Sequence, residues 1–265
     1  MNDALTFQLS KGVSSLLISV PHSGLAVPGE ILSRFSPAAR TLPDTDWFVD
    51  RLYAWAAGLG AGMLTAPMSR YVVDLNRPPD DKPLYDQGTS ALSTGLVPLN
   101  TFSGEEIYVE SKPDETETSN RLETFWAPYH GCLAAELERI RGVHGHAVLL
   151  DAHSIQSRQP LLFDGTLSDL NLGSNSGKSA DSSLINAACE VLAQSDYSLV
   201  VDGRFKGGYI TRHYGQPTNH IHALQLEMAQ SAYMREGPLQ WSEERSAKMA
   251  VVLQQLVNAL ISWKP

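Results

Sequence analysis

Two histidines in this chain stand where an apolar run gives way to polar residues. His22 follows Leu16-Leu17-Ile18-Ser19-Val20 and is flanked by Pro21, Ser23 and Gly24, which suit a turn that aims the ring outward and not a packed helix face. His153 follows Ala147-Val148-Leu149-Leu150 within Asp151-Ala152-His153-Ser154. Neutral imidazole is the commonest protein ligand for zinc, and two rings at strand ends can converge on one ion. A catalytic zinc takes three protein ligands and keeps a position for water, so a third must come from elsewhere. Asp44, Asp46 and Asp50 are the nearest candidates, although capping a helix that starts there is an equally physical role for them. Asp151, two residues before His153, is placed to orient that ring.

Glu227 ends the apolar run Leu224-Gln225-Leu226, so a carboxyl group emerges where a reaction can use it, and partial desolvation there suits a general base. Arg70, Arg77 and Arg212 form a third group. Arginine makes the forked contact a carboxylate accepts and can polarise a carbonyl, and Arg77 sits in the proline-stopped turn Asn76-Arg77-Pro78-Pro79. His130, His144 and His146 are weaker candidates, and His213, His220 and His222 crowd near Arg212, placed to line a pocket there but not assigned as ligands.

These residues need elements to hold them. Leu16 to Val20, Tyr71 to Asp74, Ala147 to Leu150, Tyr197 to Val201 and Leu224 to Glu227 read as strands. Helical spacing appears at Asp46 to Leu59, stopped by Gly58 or Gly60, at Arg121 to Arg141 with Pro128 as kink or first turn, at Ser182 to Gln194 and at Ser242 to Trp263. Residues 78–118 are rich in Gly, Pro, Ser, Thr and Asp and read as a long functional loop or lid. Alternating strands and helices predict an α/β sandwich, with 1–265 as a single catalytic domain. Gly173-Ser174-Asn175-Ser176-Gly177-Lys178-Ser179 looks like a phosphate-binding loop, but the required first glycine falls at Leu172 and the residues before it do not read as a strand.

Composition narrows the partners. With 43% hydrophobic and 18% charged residues the chain is ordinary for a globular protein. A net charge of −9, from 29 acids and 20 bases with the bases scattered, speaks against nucleic acid. No apolar run approaches the ~20 residues of a membrane helix, and Met1-Asn2-Asp3-Ala4 opens no secretory signal, so a cytoplasmic location is expected. Cys132 and Cys189 lie in helix-like stretches as small buried hydrophobes, which excludes a disulfide scaffold.

Six ordered motifs carry a resemblance that runs through nearly the whole chain: Pro21-His22-Ser23-Gly24, Asp44-Thr45-Asp46-Trp47, the stretch from Ser69 to Pro79, Asp151-Ala152-His153-Ser154, Gly207-Gly208-Tyr209-Ile210-Thr211-Arg212 and Gln225-Leu226-Glu227. On these the chain resembles the N-formylglutamate amidohydrolases, or N-formylglutamate deformylases, of histidine breakdown. That family is similar in fold to the zinc-dependent exopeptidases, which implies a single-domain three-layer sandwich with a mixed central sheet flanked by helices, of the phosphorylase/hydrolase-like kind. The resemblance further implies one divalent metal ion, zinc by preference, with His22 and His153 as ligands, Arg70 as carbonyl polariser, Asn76 and Arg77 as carboxylate binders and Glu227 as base. Arg212 joins the substrate-binding group. The exopeptidases carry a Glu three residues after the first His; here that position is Leu25, and Asp46 is expected to fill the slot, with Asp44 in reserve. The implied substrate is a small anionic N-acyl amino acid, N-formyl-L-glutamate first. Two rivals stand beside it: the same machinery acting on another N-acyl amino acid or a short peptide C-terminus, and a metal-free binding or regulatory protein with this fold.

Overall fold

The central strands are continuous apolar runs, the pattern of a sheet covered on both faces. In the computed structural model, which describes residues 6–84 and 94–265, seven strands form one sheet. They are β1 (Gln8–Ser10), β2 (Leu16–Val20), β3 (Gly62–Thr65), β4 (Ala147–Ile155), β5 (Leu170–Gly173), β6 (Leu199–Val201) and β7 (Ile221–Ala229). Their order is β1-β3-β2-β4-β7-β5-β6. Strands β3, β2, β4 and β7 run parallel, while β1 at one side and the β5/β6 pair at the other run against them, so the sheet is mixed. A separate ribbon pairs β8 (Met234–Arg235) with β9 (Gln240–Trp241).

The helices are α1 (Gly29–Leu32), α2 (Val49–Tyr53), α3 (Glu115–Arg121), α4 (Ala127–His144), α5 (Ser182–Ala193), α6 (Tyr209–Tyr214) and α7 (Glu243–Ser262). Leu184, Ala188 and Leu192 of α5, Met249, Leu253, Leu256 and Leu260 of α7, and Val49 and Leu52 of α2 pack on one sheet face. Leu133, Leu137 and Ile140 of α4 and Ile210 of α6 pack on the other. The expected three-layer α/β sandwich is therefore present.

Side chains alternate along a strand, so residue parity decides which layer each one meets. Leu16, Ile18, Val148, Leu150, Leu224 and Leu226 face the α5/α7 layer. Leu17, Ala147, Leu149, Ile221 and Ala223 face α4 and α6. Continuing with that second parity, the next positions toward the strands' C-terminal ends are Ser19, Asp151, His153, Gln225 and Glu227. One face thus changes from apolar to polar where the helices end, the edge at which open α/β sheets place ligands.

Several elements differ from expectation. Strand β4 runs on to Ile155 and β7 to Ala229, so His153 and Glu227 lie within strands and not just after them. Tyr71 to Asp74 is a turn and not a strand: Val72 donates to Ser69 O, Asp74 to Leu96 O, and the carbonyls of Tyr71 and Val72 accept from the buried Arg121. The helix expected over Asp46 to Leu59 is α2 followed by a 3₁₀ segment, Ala54–Leu59, ending at left-handed Gly60. Its N-cap is Phe48 with no side-chain cap, which leaves Asp44 and Asp46 to other partners. Pro128 opens α4 directly after a π-helical turn, Leu122–Trp126. Of residues 78–118, 85–93 lie outside the described residues, and α3 occupies the far end.

Candidate metal centre

The segment after β2 brings His22 to the sheet edge, and the Asp46 backbone N–H donates to the His22 carbonyl at 3.1 Å, which seats the Asp44-Thr45-Asp46 turn beside it. His22, Asp46 and His153 each offer one ligand atom, all within 4.8 Å of one another, and all three residues are buried. Each imidazole is held by its far nitrogen. His22 Nε2 lies 2.8 Å from Asp74 Oδ1, and His153 Nε2 lies 2.9 Å from Asp151 Oδ2. The near nitrogens face Asp46 Oδ2: His153 Nδ1 at 2.9 Å, and His22 Nδ1 at 3.9 Å, beyond a hydrogen bond. Among the described residues His22 Nδ1 is buried with no hydrogen-bond partner, a costly position for a polar atom unless something else is bound there. The Ser154 N–H also donates to Asp46 Oδ2, at 3.1 Å. Behind Asp151, Ser19 Oγ donates to its Oδ1 at 2.9 Å and meets Tyr129 Oη at 3.0 Å, so the carboxylate that orients His153 is itself fixed.

The charges favour a cation. Burial and Arg70 hold His22 below its ordinary value against the opposing pull of Asp74 and Asp46, giving the neutral ring a ligand needs. Burial pushes Asp46 upward, but the His153 hydrogen bond and the charges of His153 and Arg70 outweigh it and hold the carboxylate ionised. Asp74 is likewise pushed up by burial, and Arg70, His22 and Arg77 bring it well below the usual range. Burial disfavours a charged His153, yet Asp151 and Asp46 raise it well above its ordinary value. Three carboxylates, those of Asp46, Asp74 and Asp151, thus surround one permanent cation, Arg70, and the raised His153; with a divalent ion in place of the His153 proton and both rings neutral, the ion matches an excess of two negative charges.

Arg70 is buried with Nη2 at 2.8 Å from Asp74 Oδ2, Nη1 at 3.4 Å from Asp46 Oδ1, and its guanidinium 4.8 Å from the Phe102 ring centre. Asn76 Nδ2 approaches His153 Nε2 at 3.0 Å, while its Oδ1 accepts the Ile210 N–H at 2.8 Å. Glu227 pairs across the strands with His153. Burial pushes its carboxyl up to about 8, partly offset by His153 and Arg70, and Gln225 Nε2 donates to its Oε2 at 3.3 Å. Arg77 turns toward the neighbouring loop: Nε donates to Thr94 O at 3.0 Å, Nη1 to Asn76 O at 3.0 Å, and Nη2 to Thr94 Oγ1. Arg212 lies on α6 with Nε donating to Gly207 O at 2.8 Å.

The remaining candidates fall elsewhere. Asp44 accepts from Tyr71 Oη at 2.5 Å and from the Phe102 N–H at 2.8 Å, joining the site's wall and not the ligand group. Asp50 is exposed on α2. His213 is exposed and stacks on Tyr209, His220 is exposed, and buried His222 packs on Trp263, so the three do not line one pocket. The phosphate-loop look-alike does follow a strand, β5, against expectation. Its backbone donors are taken, however: the Asp202 carboxylate accepts from Ser174 N at 2.8 Å, Ser176 N at 3.2 Å and Ser174 Oγ. The sequence reading missed the ring-holding Asp74, because its segment looks like a strand. No signal along the chain links that acid to the Pro-His-Ser-Gly turn, 52 positions away.

Residues 14–234 match the family model for N-formylglutamate amidohydrolase. An N-formylglutamate deformylase of Pseudomonas putida is 48% identical over 99% of this chain and 97% of its own, and one of Pseudomonas aeruginosa is 46% identical over 99% and 98%. The crystal structure of N-formylglutamate amidohydrolase from Ralstonia eutropha JMP134 shares the fold, with a TM-score of 0.83 at 23% identity over 96% of this chain and 97% of that one.

Proposed function

The chain belongs to the N-formylglutamate amidohydrolase family, and from that premise we propose that it is a metal-dependent amidohydrolase converting N-formyl-L-glutamate to formate and L-glutamate, as in histidine degradation. His22, Asp46 and His153 would hold the ion, zinc by preference. The observation that carries this reading is the pair of imidazoles held from behind by Asp74 and Asp151, with the buried, unpartnered Nδ1 of His22 turned toward Asp46. When bound, a divalent ion supplies Lewis acidity and lowers the pKa of a neighbouring water.

The chain's own residues supply the rest. Burial alone keeps the Glu227 carboxyl largely protonated, and a cation bound beside it would favour the ionised form; that carboxylate accepts a proton from the attacking water, whose oxygen adds to the formyl carbon to give a tetrahedral oxyanion. Arg70 faces that negative charge with a guanidinium already fixed by Asp74, so little reorganisation is needed. Glu227 then passes its proton to the leaving nitrogen as the C–N bond breaks, and formate and the amine depart. Arg77 and Arg212, with the Asn76 side-chain amide, hold the glutamate carboxylates. The family membership supports a glutamate moiety, and the arginines support a dianion.

We include in this reading a single catalytic domain with part of 78–118 as cover. Phe102 lies over Arg70, Leu96 O accepts from Asp74, and Thr94 holds Arg77, which supports residues 94–102 as a wall of the site. A cytoplasmic location completes it, supported by the free thiols of Cys132 and Cys189. None of the described helices is long and apolar enough to cross a membrane. The test is to strip and reload the protein with zinc and measure amine release from N-formyl, N-acetyl and N-succinyl amino acids. Preferred turnover of N-formyl-L-glutamate that vanishes on chelation supports the reading, and metal-independent turnover or none overturns it.

A further inference from the structure

Glu227 has one side-chain hydrogen-bond donor among the described residues, Gln225, two positions earlier on the same face of β7. Gln225 is buried, and its amide is divided between two partners: Oε1 accepts the Gly208 N–H at 2.7 Å, and Nε2 donates to Glu227 Oε2 at 3.3 Å. The Gly208 end of this bridge is rigid. A Cβ at Gly208 would fall 2.3 Å from Asn76 Nδ2, so the backbone there lies directly on the Asn76 amide, which in turn meets His153 Nε2. Pinning Oε1 by a backbone donor fixes the amide's orientation, because flipping it would set N–H against N–H. Nε2 is thereby committed to Glu227.

We propose that Gln225 is the positioning residue of the proton-accepting Glu227, holding its carboxylate toward the His153 side of the sheet from an anchor on the Gly207–Gly208 turn. The inference rests on the reading of Glu227 as base. A buried carboxylate with a single donor has several rotamers open to it once that donor is removed, and misplacement of a proton acceptor slows the chemical step while leaving substrate contacts elsewhere intact.

Two substitutions separate positioning from plain structure. Gln225→Glu keeps an oxygen for the Gly208 N–H but replaces the donor facing Glu227 with a second carboxyl, which either repels Glu227 or shares its proton. Gln225→Met removes both bonds without adding charge. Each is compared with wild type for kcat, KM, metal content and melting temperature, alone and in a Glu227→Gln background. Both variants should lose about 10- to 100-fold in kcat, the usual scale for groups that orient a reacting residue, with KM and metal content near wild type. In the Glu227→Gln background neither should cost anything further. Wild-type kcat in Gln225→Glu, or a loss that persists undiminished in the Glu227→Gln background, overturns the proposal. If Glu227→Gln itself retains full kcat, the base reading fails, and this proposal with it. A drop in Glu227→Gln with none in either Gln225 variant leaves the base in place and removes Gln225 from the machinery.

Discussion

His22→Ala removes an imidazole whose back is held by Asp74 and whose front atom has no hydrogen-bond partner among the described residues, so the substitution deletes the proposed ligand without breaking a hydrogen bond on that side. The purified His22→Ala, Asp46→Ala and His153→Ala proteins should each carry far less metal than wild type by elemental analysis. Undiminished metal in both histidine variants would place the site elsewhere. For Glu227→Gln the expectation is different: the shape remains, the proton acceptor is gone, and kcat should fall by at least about 10²-fold with metal retained, since positioned proton transfer is worth about 10²–10⁴ in rate. A kcat above about a tenth of wild type would contradict it. Much of this site is legible in the sequence, because His22, Asp46, Arg70, His153 and Glu227 stand in ordered motifs. What the motifs do not disclose is who holds whom. Asp74 reads as the last residue of a strand, and nothing in one dimension says that a carboxylate there reaches a ring 52 positions earlier.

At the level of elements, the strands that carry the chemistry were readable as unbroken apolar runs, since both of their faces are covered. The short strands β1, β3 and β5 were not, because Gln8-Leu9-Ser10, Gly62-Met63-Leu64-Thr65 and Leu170-Asn171-Leu172-Gly173 carry too few residues for a period to appear. Tyr71 to Asp74 shows the opposite error: a β-leaning run whose backbone groups are satisfied by Arg121 and by local turns, so tertiary partners override propensity. The turn before α6 is as tightly specified. Gly208→Ala would drive a methyl group against the Asn76 amide and move it off His153, and overpacking of this kind costs about 1–3 kcal/mol. Denaturant melts should show that loss, together with weaker metal retention in chelator competition; a variant as stable and as metal-tight as wild type would show that the turn yields freely. Arg77→Ala should raise KM for N-formyl-L-glutamate strongly with a smaller change in kcat. An unchanged KM with intact fold would leave Arg77 as a brace for Thr94 and make Arg212 the stronger carboxylate partner.

Across the whole molecule, one buried histidine ties the helical layer to the site. His130 on α4 donates from Nε2 to the Leu75 carbonyl at 2.9 Å, its Nδ1 lies 2.9 Å from Tyr214 Oη of α6, whose one hydrogen is shared between that nitrogen and the His130 carbonyl at 3.1 Å, and the ring stacks on Trp126 with ring centres 3.8 Å apart. Both bonds are satisfied by the neutral ring. Burial lowers its pKa to about 3, against an ordinary value of 6.5. Native protein therefore takes up this proton only near pH 3, whereas the unfolded chain takes it up near 6.5. Between those limits the unfolded state binds more protons, so the stability due to neutral His130 is complete above about pH 6.5 and is lost as pH falls, by up to about 1.4 kcal/mol per pH unit. His130→Gln keeps a donor and an acceptor but has nothing to titrate. Metal loss in acid would add its own slope, so both proteins are compared after chelation, by urea unfolding from pH 7 to pH 4.5. The variant should be less stable at pH 7, having lost the ring stack, yet its stability should decline less steeply below pH 6.5, and the two curves should converge toward the acid end. Parallel curves would mean that native His130 protonates as readily as the unfolded chain, and that the join between α4, α6 and the site turn tolerates a charge.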